Sequence, residues 1–127
     1  MFSQTAIYAL RAMAVLKDLH PGERLPAKDL AERTRVPAHY MSKIMRRLVV
    51  AGLVEGRKGW GGGFRLSRSP SRITFAQVLA AVGSAVEGGV CAFGWERCDG
   101  ENPCPLHGAW SRLQDCVRDW AERRTLA

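Results

Sequence analysis

The sequence predicts a mainly α-helical fold with a small β-hairpin: a winged helix-turn-helix followed by a C-terminal dimerisation helix. Three observations carry this. Two short amphipathic stretches, each opened by a proline, lie a few residues apart. A glycine-rich alternating hairpin, "LVEGRKGWGGGFRLSR", follows the second of them directly. A terminal helix then carries Trp110, Leu113, Val117 and Trp120 at three- and four-residue steps. The predicted organisation is a winged helix-turn-helix over 1–72, a connecting helix and cysteine-rich loop over 73–107, and a dimerisation helix over 108–127, in one compact domain.

The first helix is expected over 3–19, with Ile7, Leu10, Ala14, Val15 and Leu19 on one face at helical spacing. Pro21 and Gly22 break it. The second, "PAKDLAERTR", places Pro26 in its first turn, where proline's missing N–H costs nothing, and turns Ala27, Leu30 and Ala31 inward. The third runs from Pro37 to a glycine stop at Gly52. Met41, Ile44, Met45 and Leu48 form its buried stripe, leaving His39, Ser42, Lys43, Arg46 and Arg47 on the other faces. Two short helices joined tightly, the second basic outside, make a helix-turn-helix.

The hairpin makes it a winged one. Gly59, Gly61, Gly62 and Gly63 let the tip turn tightly and approach a backbone closely, and Arg57, Lys58 and Arg65 surround it with positive charge. A phosphate-cradling loop is excluded because "GWGGGF" is not followed by Lys-Ser/Thr and a helix. Thr74 caps a further short helix, "FAQVLAAVG", and 83–105 reads as irregular. The aromatic stripe of the last helix, roughly Leu106–Arg124, has little left to cover it within so small a domain, so a homodimer interface is expected there.

Charge is divided unevenly. Residues 1–72 hold 14 Lys/Arg against 5 Asp/Glu, whereas 73–127 hold 5 against 7. The basic surface therefore belongs to the helix-turn-helix half, and charge alone fits either a solvated, solubilising face or a polyanionic partner. No apolar run approaches the roughly 20 residues of a membrane span, and the opening is too interrupted for a secretory segment, so a cytoplasmic location with no membrane partner is expected. No acid/base constellation supports an enzyme.

Three of the four cysteines cluster as Cys91-x6-Cys98-x5-Cys104-x2-His107. Three thiolates and an imidazole satisfy either a tetrahedral zinc or a cluster with one imidazole ligand, although the tight Cys-x2-4-Cys pair usual for zinc is absent. A bare thiol switch is the other alternative. Cys116, on the last helix, reads as a small apolar interface residue.

Together these pieces resemble a known family. "YALRAM", "HYMSKIMRRLVVAGLV", "RKGWGGGFRL", "ITFAQVLAAVG" and the spaced cysteines before a terminal helix are similar to the iron–sulfur regulators of the IscR and NsrR type, the Rrf-two family of winged-helix transcription factors. The resemblance implies a homodimer on a palindromic operator of double-stranded DNA. It implies a third helix in the major groove, with His39, Tyr40, Ser42 and Lys43 nearest the bases and Arg46 and Arg47 on phosphates. It implies a wing presenting Arg57, Lys58, Gly59, Trp60 and Gly61, with Lys58 in the minor groove and Trp60 where proline is commoner. It also implies an iron–sulfur cluster on Cys91, Cys98, Cys104 and His107, with 2Fe–2S favoured over 4Fe–4S. Relatives with 4Fe–4S draw a carboxylate from the partner's first helix, and the matching place here is Ile7 beside Tyr8, neither of them a ligand. Pro37 and Ser42 differ from the IscR pattern, so that protein's operator is not transferred.

Overall fold

A computed structural model describes residues 2–84 and 105–127. In chain order it contains α1 (Gln4–Leu16), α2 (Ala27–Thr34), α3 (Ala38–Val50), β1 (Val54–Arg57), β2 (Gly63–Leu66), a 3₁₀ turn (Pro70–Arg72), α4 (Phe75–Ala81) and α5 (His107–Arg123). Cys91, Cys98 and Cys104, and most of the stretch read as irregular, lie outside the described residues.

The helix-turn-helix forms for reasons visible in the chain. Pro26 is the N-cap of α2, one position before the expected first turn, with extended φ and ψ of −62° and 155°. Leu30, Ala31 and Thr34 face inward, and the Thr34 hydroxyl donates to the Leu30 carbonyl at 2.6 Å. Arg35 then adopts a left-handed conformation (φ 56°, ψ 42°), and its N–H and that of Val36 both return to the Ala31 carbonyl. This reverses the chain within three residues and buries Val36.

Met41, Ile44, Met45 and Leu48 of α3 are all buried, as their spacing requires. α3 stops in a Schellman arrangement. The Gly52 N–H bonds the Val49 carbonyl at 2.9 Å and the Leu53 N–H bonds the Leu48 carbonyl at 3.1 Å, with φ of 78° at Gly52. Leu53 is buried and leads into β1.

β1 and β2 pair antiparallel, Val54 opposite Leu66 and Arg57 opposite Gly63. Arg65 does not add free positive charge to the wing, because Glu55 lies directly across and the two form an ion pair at 3.0 Å. Leu25 bonds Phe64 in both directions, at 3.0 and 2.7 Å, as a third rung that the hairpin pattern does not announce. Gly63 permits it: a Cβ there would sit 2.5 Å from the Leu25 carbonyl carbon.

α1 corrects the sequence reading twice. The helix ends at Leu16 rather than Leu19, and it buries Ala6, Ala9, Ala12, Met13 and Leu16. Of the expected face, Ile7 and Ala14 are exposed, while Leu10, Val15 and Leu19 are half-buried. Between Ala6 and Leu16 only Tyr8 and Arg11 carry polar side-chain atoms, so the helix is apolar nearly all round and periodicity cannot choose its inner side. Close approach decides instead. α1 packs against α2, α3 and α4 together, and alanines let three backbones come near.

Thr74 and Gln77 form a reciprocal capping box at the start of α4. Ala6, Leu79 and Ala121 bring α1, α4 and α5 together in a second, smaller core. After α5 the chain folds back: Thr125 pairs with Thr74, Leu126 is buried, and its N–H reaches the Ile73 carbonyl at 3.0 Å.

Candidate nucleic-acid interface and metal ligands

With Met41, Ile44, Met45 and Leu48 locked inward, helical geometry sends the polar positions of α3 outward. His39, Tyr40, Ser42, Lys43, Arg46 and Arg47 are all exposed. His39, Lys43 and Arg46 follow one another at four- and three-residue steps, so imidazole, ammonium and guanidinium form one stripe along the helix.

The start of that stripe is held from α1. The rings of His39 and Tyr40 lie 4.6 Å apart, and Tyr40 meets Tyr8 edge-on at 6.4 Å. Arg11 sits 5.8 Å from the Tyr8 ring and donates to the Thr34 carbonyl at 3.4 Å. Tyr8 and Arg11 therefore brace the N-terminal end of α3, contacts that sequence reasoning missed. Their three-residue spacing on the outer side of α1 is the signal that could have found them.

Arg46 and Arg47 differ. Arg47 donates to the Val82 carbonyl at 3.2 Å, tying the end of α3 to the end of α4. Arg46 has no hydrogen bond or ion pair among the described residues. The side chains of Lys43, Arg57 and Lys58 likewise have no such partner among the described residues and face solvent, unlike Arg47 and Arg65.

The wing tip is tightly closed. Gly59 and Gly61 have φ of 89° and 68°, and the Gly62 N–H bonds the Gly59 carbonyl at 3.0 Å. A Cβ on Gly62 would collide with the Arg57 carbonyl oxygen and lie 2.8 Å from that of Gly59. Arg57, Lys58, Gly59, Trp60 and Gly61 are all exposed, Trp60 completely.

His107 is the first residue of α5. Its Nδ1 is buried and has no hydrogen-bond partner among the described residues. Cys104 stands three positions before this imidazole in the sequence, outside the described residues. Among the described residues no group of three His, Cys, Asp or Glu could hold a metal. A thiolate set from the cysteine loop is what would complete a site around His107, and an unpartnered imidazole nitrogen fits that donor set. α1 offers no carboxylate: Ile7 and Tyr8 stand in a helix without Asp or Glu. Cys116 is exposed on α5.

The aromatic stripe of α5 divides. Trp120 packs on Phe75 at 5.0 Å and Phe2 at 6.3 Å within its own chain, which corrects the expectation that the stripe has little to pack against. Trp110 and Val117 are half-buried, whereas Leu106 and Leu113 are 46% and 47% exposed. No helix among the described residues is long and apolar enough to cross a membrane.

Comparison with known proteins agrees with this geometry. Residues 2–127 match the family Rrf2, described as iron-dependent transcriptional regulator. The regulator IscR of Pectobacterium carotovorum is 34% identical over 120 residues, covering 94% of this chain and 72% of that protein. The structure of CymR, the global cysteine regulator of B. subtilis, superposes with a TM-score of 0.81 at 25% identity, covering 99% of this chain and 92% of that one. IscR of T. potens superposes at 0.76 with 21% identity, covering 99% and 82%, and supports the fold. The chain belongs to the Rrf2 family, of the IscR type, and is a DNA-binding transcriptional regulator rather than an enzyme.

Proposed function

We propose that this regulator works as a cytoplasmic homodimer on a palindromic operator, with an affinity set by an iron–sulfur cluster on Cys91, Cys98, Cys104 and His107. The observation that carries the reading is the His107 imidazole, whose Nδ1 is buried and unpartnered at the head of α5, three residues beyond Cys104. A buried polar atom without a partner costs free energy that a coordinate bond would recover. When bound, the cluster supplies a redox- and ligand-sensitive link between the cysteine loop and α5; 2Fe–2S matches three thiolates plus one imidazole.

The chain's own residues account for the rest. His107 heads α5, and Ala121 near its far end packs with Ala6 of α1 and Leu79 of α4. α1 in turn holds Tyr40 through Tyr8. A change in the seating of His107 thus has a continuous packed path to the start of the recognition helix. Lys43 and Ser42 read base edges, Arg46 and Arg47 set register on phosphates, and the wing adds Arg57 and Lys58. The exposed Leu106 and Leu113, continuous with Trp110, Val117 and Trp120, form the dimer contact.

A thiol-based or zinc-containing switch on the same fold is the second reading, favoured by the likeness to a cysteine regulator. Anaerobic purification with iron and sulfide counts separates the two. About two of each per chain, lost in His107→Ala and Cys98→Ala while the helical content stays, supports the cluster. Zinc, or no metal after reconstitution, supports the second reading and refutes the first.

A further inference from the structure

The wing ends in an indole that nothing in the chain covers. Trp60 is fully exposed and has no ring or cation partner among the described residues. Single exposed apolar side chains are common; the mounting of this one is not. Gly59 and Gly61 flank it with positive φ, and a Cβ on either would meet nothing within 4 Å, so the ring stands on a stem of bare backbone with open space on both sides. Below it the Gly59–Gly62 bond closes the turn, and Gly62 is packed too tightly against the Arg57 and Gly59 carbonyls to accept even a methyl group. The stem is narrow, and one hydrogen bond closes its base.

Arg57 and Lys58 sit at its base without partners. They would draw a polyanion onto the tip and hold it there. A minor groove is only about 6 Å wide, which a side-chain-free hairpin tip suits better than a decorated one. Apolar side chains inserted from the minor groove as wedges part base steps and kink the duplex.

We propose that Trp60 is a wedge, inserting its indole from the minor groove into one base step beside each half-site read by α3. Affinity then depends on how readily that step unstacks, so pyrimidine–purine steps are preferred and A-tracts disfavoured at a position the helix never touches. The proposal rests on the reading of the chain as a duplex-DNA regulator and adds the structural feature its operator must carry.

The test uses duplexes selected from a random-sequence pool by the full wild-type chain, then relabelled with 2-aminopurine at each step in turn. Wild type is expected to raise 2-aminopurine fluorescence several-fold at one step per half-site. Replacing that step with A-tract sequence is expected to weaken binding about tenfold. Trp60→Ala and Trp60→Lys should bind the half-sites with neither the rise nor the discrimination, and Trp60→Phe should keep part of both. Circular dichroism melts of these surface variants should match wild type. Wild type that binds without any rise, or Trp60→Ala that unstacks the step as wild type does, overturns the wedge and leaves the regulator standing. A pool that yields no duplex overturns the DNA reading itself and the wedge with it.

Discussion

Gly62→Ala tests the link between the wing's backbone and its electrostatics. The added Cβ would collide with the Arg57 carbonyl and stand 2.8 Å from that of Gly59. Both are main-chain atoms, which cannot swing aside as a side-chain tip can. The turn must therefore open and give up the Gly59–Gly62 hydrogen bond. Opening is local, because β1 and β2 remain paired and Phe64 stays bonded to Leu25. The stability cost is then that of one turn, about 1–2 kcal/mol, or a Tm lower by roughly 3–8 °C. DNA binding should suffer more. Arg57 and Lys58 no longer point from a fixed tip, and each phosphate that goes unneutralised lowers the salt slope by about 0.9. Two such phosphates per subunit give about 1.8, or about 3.6 for a dimer. Fluorescence anisotropy on a selected duplex, titrated between about 50 and 200 mM salt, measures the slope. Combining Gly62→Ala with Arg57→Ala and Lys58→Ala should lower affinity scarcely further, since both routes take the same two cations off the phosphates. A Gly62→Ala protein with the wild-type slope would refute the claim that the closed turn presents these cations.

Arg46→Ala should reduce the salt slope by about 1 per subunit without moving Tm. Arg47→Ala should also cost about 1 kcal/mol of stability, because its bond to the Val82 carbonyl is removed; chemical denaturation beside anisotropy separates the two. Leu126→Ala removes a side chain that is 5% exposed, so it should destabilise by about 2–3 kcal/mol and raise amide exchange around Ile73 and Phe75. Unchanged stability would mean the chain end is not held against the 3₁₀ turn.

The helix-turn-helix and wing were legible because each rested on two independent constraints. In α3 the apolar stripe and the glycine stop agree, and in the hairpin the alternation and the glycine run agree. Thr74 was legible as a cap from its residue type ahead of an apolar run, and the structure adds Gln77 as its reciprocal partner. The face of α1 was not, since a helix that is apolar nearly all round carries no direction, and its inner side is chosen by alanines where other backbones approach. Nor could local pattern reveal the Leu25–Phe64 rung or the return of Leu126 to Ile73, which join residues 39 and 53 positions apart. At the candidate interface the exposed cations follow from helical spacing. The support of Tyr40 by Tyr8 and the anchoring of Arg47 to α4 depend on how helices meet, which spacing within one helix does not encode.

His107 offers the sharpest trade-off between folding and function. Protein interiors rarely leave a polar side-chain atom both buried and unpaired, because it loses water and gains nothing in return, at about 1–3 kcal/mol. His107 Nδ1 is in that position among the described residues. If the imidazole is kept for a ligand absent from the bare chain, the metal-free protein carries its cost and the loaded protein recovers it. His107→Leu separates these states, since it fills similar volume without the orphaned nitrogen. The metal-free variant is expected to be more stable than metal-free wild type, by about 1 kcal/mol in urea denaturation. The same variant should lose the iron and sulfide that wild type takes up, so the order of stability reverses once both are reconstituted anaerobically. Should metal-free His107→Leu prove less stable than metal-free wild type, Nδ1 has a partner in the fold, the imidazole is structural, and the case for His107 as a ligand fails.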